Sequence, residues 1–125
     1  MAAPSPLQQR LETEAKAFQA FQKDHTKLTA AQNKLMSQYN ENDMVLKELK
    51  LLEPDANCYK LTGPVLLKQD VEEARSNVEK RLQYIGDEMK RSQEKIADLE
   101  KKMEEKKGKI MQLQQQAQQP AGKAA

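Results

Sequence analysis

Five prolines stand at positions 4, 6, 54, 64 and 120 of a 125-residue chain. A proline inside a helix lacks the donor for one backbone bond and clashes with the preceding turn, at about 3 kcal/mol. The spacing therefore leaves two long stretches free to be helical and isolates a short segment between them. Each stretch carries a start signal. Ser5 can cap the first helix, with Pro6 at the first helical position and Gln8 closing a capping box. Asp70 followed by Glu73 offers the same arrangement for the second. The expected organisation is one domain, with a helix over about 6–53, a β-hairpin over about 56–69, a helix over about 70–117 and a disordered tail over about 118–125.

Within both stretches apolar residues recur at alternating steps of three and four. The first seam reads Leu11, Glu14, Phe18, Phe21, His25, Leu28, Gln32, Leu35, Tyr39, Asn42, Leu46 and Leu49, eight of them apolar. The second reads Arg75, Val78, Leu82, Ile85, Met89, Ser92, Ile96, Leu99, Met103, Lys106, Ile110 and Leu113, nine of them apolar. A 3.5-residue repeat is the period of a coiled coil and excludes an alternating strand. Antiparallel pairing with partner numbers summing to 124 brings all twelve layers together. Leu46 then meets Val78, Tyr39 meets Ile85, and the polar exceptions Gln32 and Ser92 share a layer. A slip of one heptad sets Gln32 against Ile85 or Leu99, where a buried amide is worse placed. Gly86 and Gly108 are weak points in the second helix.

The connector has strand character. Asn57-Cys58-Tyr59-Lys60-Leu61 and Val65-Leu66-Leu67-Lys68-Gln69 flank Thr62-Gly63-Pro64, two apolar runs around a glycine-containing turn. An isolated two-stranded hairpin is marginal in water, so its edges and apolar side chains call for strands from other chains. The fold class is thus mainly α: a long antiparallel two-helix coiled coil joined by one β-hairpin that is open to strands from other chains; that these strands close an inter-subunit β-barrel is what the family resemblance given below implies.

Composition narrows the functional classes. Charged residues are 32% of the chain and aromatics 4%, with Lys plus Arg 21 against Asp plus Glu 19. A net charge of +2 supplies no field for nucleic acid, and the Lys101–Lys109 stretch is diluted by Glu104 and Glu105. No apolar run is long enough to span a bilayer. The first residues lack a signal-peptide pattern, and a lone Cys58 forms no internal disulfide, which fits a reducing compartment. One histidine, His25, falls on the seam as a register-setting polar residue. There is no phosphate loop and no spaced ligand set, so no catalytic residue, metal site or cofactor is expected. The chain reads as a non-enzyme.

The run Tyr59-Lys60-Leu61-Thr62-Gly63-Pro64-Val65-Leu66-Leu67-Lys68-Gln69, then Glu73-Ala74-Arg75 and Lys80-Arg81-Leu82-Gln83-Tyr84-Ile85, resembles a prefoldin β-type subunit. The resemblance extends over about 7–117, and Thr62 stands where the pattern has a more apolar residue. It implies a hetero-hexamer with two α-type and three further β-type partners, each β-type chain giving one hairpin to a central barrel. On this chain those assembly residues are Cys58, Tyr59, Leu61, Gly63, Pro64, Val65, Leu66 and Leu67. The resemblance further implies an ATP-independent cytoplasmic chaperone. It would hold unfolded or nascent clients of the actin and tubulin kind at its coiled-coil tips and deliver them to the cytosolic chaperonin.

Toward the free ends the seam loses its match. Phe18 falls opposite Lys106 and Glu14 opposite Ile110, and beyond Leu113 the second helix becomes a glutamine run. Leu7, Leu11, Phe18, Ile110, Met111 and Leu113 are therefore expected to be incompletely buried and to form the client-binding tip. The competing reading is a structural coiled-coil tether or scaffold. Such a rod usually keeps its heptads through the middle, where this chain has two prolines and a strand-like segment.

Overall fold

The computed structural model describes residues 3–119. Its elements are α1 (Pro6–Leu51), β1 (Cys58–Thr62), β2 (Val65–Gln69) and α2 (Val71–Gln118). The first helix opens as its sequence requires. The Gln8 N–H donates to Ser5 Oγ at 3.2 Å, and the Ser5 N–H donates back to Gln8 Oε1 at 3.1 Å. At the start of α2 the Asp70 carbonyl accepts the Ala74 N–H at 2.9 Å. Glu72 and Glu73 occupy the positive end of that helix dipole.

The far end of α1 stops two residues before the expected position 53. The Leu52 N–H turns back to the Leu49 carbonyl at 3.2 Å, tightening the last turn. Arg75 reaches the carbonyls of this turn: its Nε donates to Leu49 at 2.9 Å, and one terminal nitrogen donates to Leu52 at 2.8 Å and to Lys50 at 3.4 Å. Its other terminal nitrogen pairs with Glu72 at 2.9 Å. One guanidinium thus caps α1 from the first turn of α2. A turn follows, with the Ala56 N–H on the Glu53 carbonyl at 3.0 Å and Pro54 at its second position. The strand consequently begins at Cys58 rather than at 56. Helix α2 runs through Gln118, where the tail was expected to begin, and the rest of that tail, 120–125, lies outside the described residues.

The chain divides into two compact units, residues 31–92 and residues 1–30 with 93–125. In each, a segment of α1 packs antiparallel on a segment of α2. Every seam position of both helices is buried or half-buried. In the 31–92 unit Leu46, Leu49, Ala74, Val78 and Leu82 form the core, with Tyr39 and Cys58 against it. Burying each large side chain there contributes about 1.5–3 kcal/mol. Val71, at the hairpin's exit, is 1% exposed. Partner numbers in this unit sum to 124 at Leu49 and Arg75, and to 125 where a Cβ on Gly86 would lie 3.8 Å from Tyr39 Cε2. In the other unit His25 Nε2 lies 3.0 Å from Glu100 Oε1, again a sum of 125. These contacts match the expected register and exclude a heptad slip.

The Gln32 layer leaves polar groups unpaired. Gln32 is buried, yet its Oε1 and the Ser92 Oγ each lack a hydrogen-bond partner among the described residues. Layer-sharing alone does not make the bond.

Candidate functional site

The first candidate surface is the hairpin. Its strands pair antiparallel, Cys58 with Gln69, Tyr59 with Lys68, Lys60 with Leu67, Leu61 with Leu66 and Thr62 with Val65. That register leaves a two-residue turn, Gly63-Pro64. Gly63 has φ +59, the left-handed value that a type II′ turn requires at its first central position. Proline at the next position is pre-set to the negative φ needed there. Alternation of side chains puts Tyr59, Leu61, Leu66 and Lys68 on one face. Cys58, Lys60, Thr62, Val65, Leu67 and Gln69 take the other.

Tyr59, Leu61, Val65, Leu66 and Leu67 are all 52–68% exposed. Five large apolar side chains on ten strand residues form a patch of the kind that marks a protein contact. Both hairpin edges also carry unpaired backbone donors and acceptors, because the sheet has only two strands. Cys58 behaves differently from its neighbours. It is half-buried against the helical core, and so anchors the hairpin's base more than it offers a free surface.

The second candidate surface belongs to the unit of residues 1–30 and 93–125. Leu7, Leu11, Phe18 and Ile110 are half-buried, and Met111 is 53% exposed. Leu113 corrects the expectation: it is 5% exposed and belongs to the core of this unit. The expected mismatch is corrected as well. Glu14 and Lys106, one seam layer apart, reach each other diagonally, with Nζ 2.7 Å from Oε2. Each side chain is about a quarter exposed or less, at 21% and 26%. The hydrogen bond from Lys106 holds the Glu14 carboxyl below the usual carboxylate range, against the opposing push of partial burial. Lys109 and Arg10 add to the lowering. Two seam charges that appear as defects layer by layer neutralise each other. An open groove beside them is lined by Phe18, His25, Glu100, Met103, Glu104 and Lys107.

Other exposed apolar residues escaped the sequence reading. Leu51 is 85% exposed, Tyr84 66% and Met44 64%, all in the 31–92 unit. They lie off the seam, so periodicity does not mark them. Among the described residues no group of three or more His, Cys, Asp or Glu side chains is placed to hold a metal. Among the described residues no helix is long and apolar enough to cross a membrane.

Comparison with known proteins follows the same lines. The family model described as "Prefoldin subunit" matches residues 12–117. A prefoldin subunit 6 from Arabidopsis thaliana is 50% identical over 119 residues, covering 94% of this chain and 92% of that one. The Homo sapiens prefoldin subunit 6 is 42% identical over 112 residues, covering 90% and 87%. Among solved structures, the prefoldin beta subunit from Thermococcus strain KS-1 superposes with a TM-score of 0.80 at 18% identity, over 96% of this chain and 99% of that one.

Proposed function

The chain belongs to the prefoldin subunit family, and from that premise we propose that it captures unfolded or nascent proteins, of the actin and tubulin kind, and delivers them to the cytosolic chaperonin without ATP. It is a chaperone subunit that assembles with other prefoldin subunits. In the proposed assembly it acts as one β-type domain in a cytoplasmic hexamer beside two α-type and three further β-type chains. Its hairpin supplies Tyr59, Leu61, Val65, Leu66 and Leu67 to a shared β-barrel, shaped by the Gly63-Pro64 turn and anchored by Cys58. The observation that carries this reading is the hairpin itself: five large apolar side chains exposed on two strands with both edges open, whereas the coil's seam positions are buried or half-buried.

Client capture is assigned to Leu7, Leu11, Phe18, Ile110 and Met111. All of these keep some exposure, whereas Leu113 is withdrawn from the surface. Flexible apolar side chains suit promiscuous contacts, and weak contacts from several subunits add through effective concentration. The experiment has two arms. Leu61→Ser with Leu66→Ser removes the hexamer in native mass spectrometry of the co-expressed complex. Phe18→Ser with Met111→Ser leaves the hexamer intact and reduces suppression of aggregation of a chemically unfolded client. A hexamer unaffected by the first pair overturns hairpin assembly, and suppression unaffected by the second overturns the tip assignment. A rod-like homodimer in place of a hexamer establishes a tether instead.

A further inference from the structure

Where the hairpin meets the helices of the 31–92 unit, an open cavity of about 180 Å³ is lined by Val45, Leu49, Ala74, Val78 and Cys58, with Lys60 and Arg81 among its polar neighbours. We propose that this cavity is a socket for a neighbouring prefoldin subunit, receiving one large apolar side chain that lies next to a carboxylate. The volume is close to that of a dry engineered cavity of about 150 Å³ that accepts benzene, so it suits one leucine- or phenylalanine-sized group.

The charge argument fixes the rest. Arg81 has no acidic residue three or four positions away on its helix, where Asn77, Val78, Tyr84 and Ile85 stand. Lys60 has Leu67 across the strand pair. Neither cation makes an ion pair among the described residues, whereas Arg75 and Arg91 pair with Glu72 and Glu88. No carboxylate lines the cavity. Two exposed cations beside an apolar floor favour a partner that brings an anion, and guanidinium matches carboxylate in planar, two-point geometry. Cys58, Lys60 and Gln69 of the socket share their hairpin face with Val65 and Leu67, each 52% exposed. A subunit docked on that face has its chain beside the cavity.

This inference rests on the hairpin-assembly reading, and the test separates the two. The full-length chain is co-expressed with its partner subunits, as parent, Arg81→Glu and Leu61→Asp. The complexes are measured by native mass spectrometry over a salt series. Alkylation of Cys58, the single cysteine of this chain, is followed on its own peptide in the free and assembled states. The expected result is an Arg81→Glu complex that dissociates at about tenfold higher concentration, with a weaker salt dependence. Cys58 is also expected to react at least about tenfold more slowly when assembled, through lost access. If Leu61→Asp assembles normally, the hairpin reading fails. If Leu61→Asp is disrupted while either Arg81→Glu or Cys58 reactivity is unchanged, the hairpin reading stands and the socket is overturned.

Discussion

At the residue scale, Arg75 does more than any other single side chain. It spans from α2 to three carbonyls at the end of α1 while paired to Glu72. Arg75→Met keeps much of the aliphatic stem and removes the donors. The expected loss is about 0.5–1.5 kcal/mol in urea denaturation, the net contribution of hydrogen bonds whose acceptors keep another donor or meet water. Glu14 gives a pH test. Its carboxyl is held below its ordinary value in the folded chain, so its contribution is complete above that ordinary value and disappears as pH falls through the lowered one. Glu14→Gln should flatten that acid limb of the stability curve, read from denaturation midpoints between pH 7 and pH 3. Neither role was legible in the sequence, where Arg75, Glu14 and Lys106 appear only as polar exceptions on an apolar seam. Layer-by-layer pairing ignores how far a lysine reaches along a coil, and a helix cap contributed by another helix leaves no local pattern.

Elements were far easier to read. The Ser5–Gln8 capping box, the strand–turn–strand of the connector and the register of the coil all follow from spacing, because each depends on residues close in sequence or on a sustained period. The ends of α1 and β1 were less legible, since Arg75 and the Pro54 turn set them. Glycines separate turn from helix. Gly63 lies at φ +59, where any Cβ is strained, so Gly63→Ala should destabilise the hairpin and reduce the yield of the assembled complex. Gly86 has room, since an added Cβ meets only Tyr39 Cε2 at 3.8 Å. Gly86→Ala should therefore raise helix stability by about 1 kcal/mol in thermal or urea melts.

For the whole molecule, the partition of apolar surface is the central fact. The seam positions are buried or half-buried, while the hairpin shows five large apolar side chains to solvent. The chain by itself should self-associate as its concentration rises, as seen by sedimentation. Leu61→Ser with Leu66→Ser should suppress that association without loss of helical signal, because both side chains are exposed. That surface was anticipated from the short apolar strands. The extra exposed residues Leu51, Tyr84 and Met44 were not, since an off-seam apolar residue leaves the heptad pattern unchanged.

The uncovered hairpin should also tie the abundance of this protein to that of its siblings. An orphaned copy displays greasy strands with open edges, the same signature by which cellular quality control identifies damaged polypeptides. Copies without partners should therefore be degraded faster than assembled ones, which a pulse-chase with and without co-expressed siblings would read.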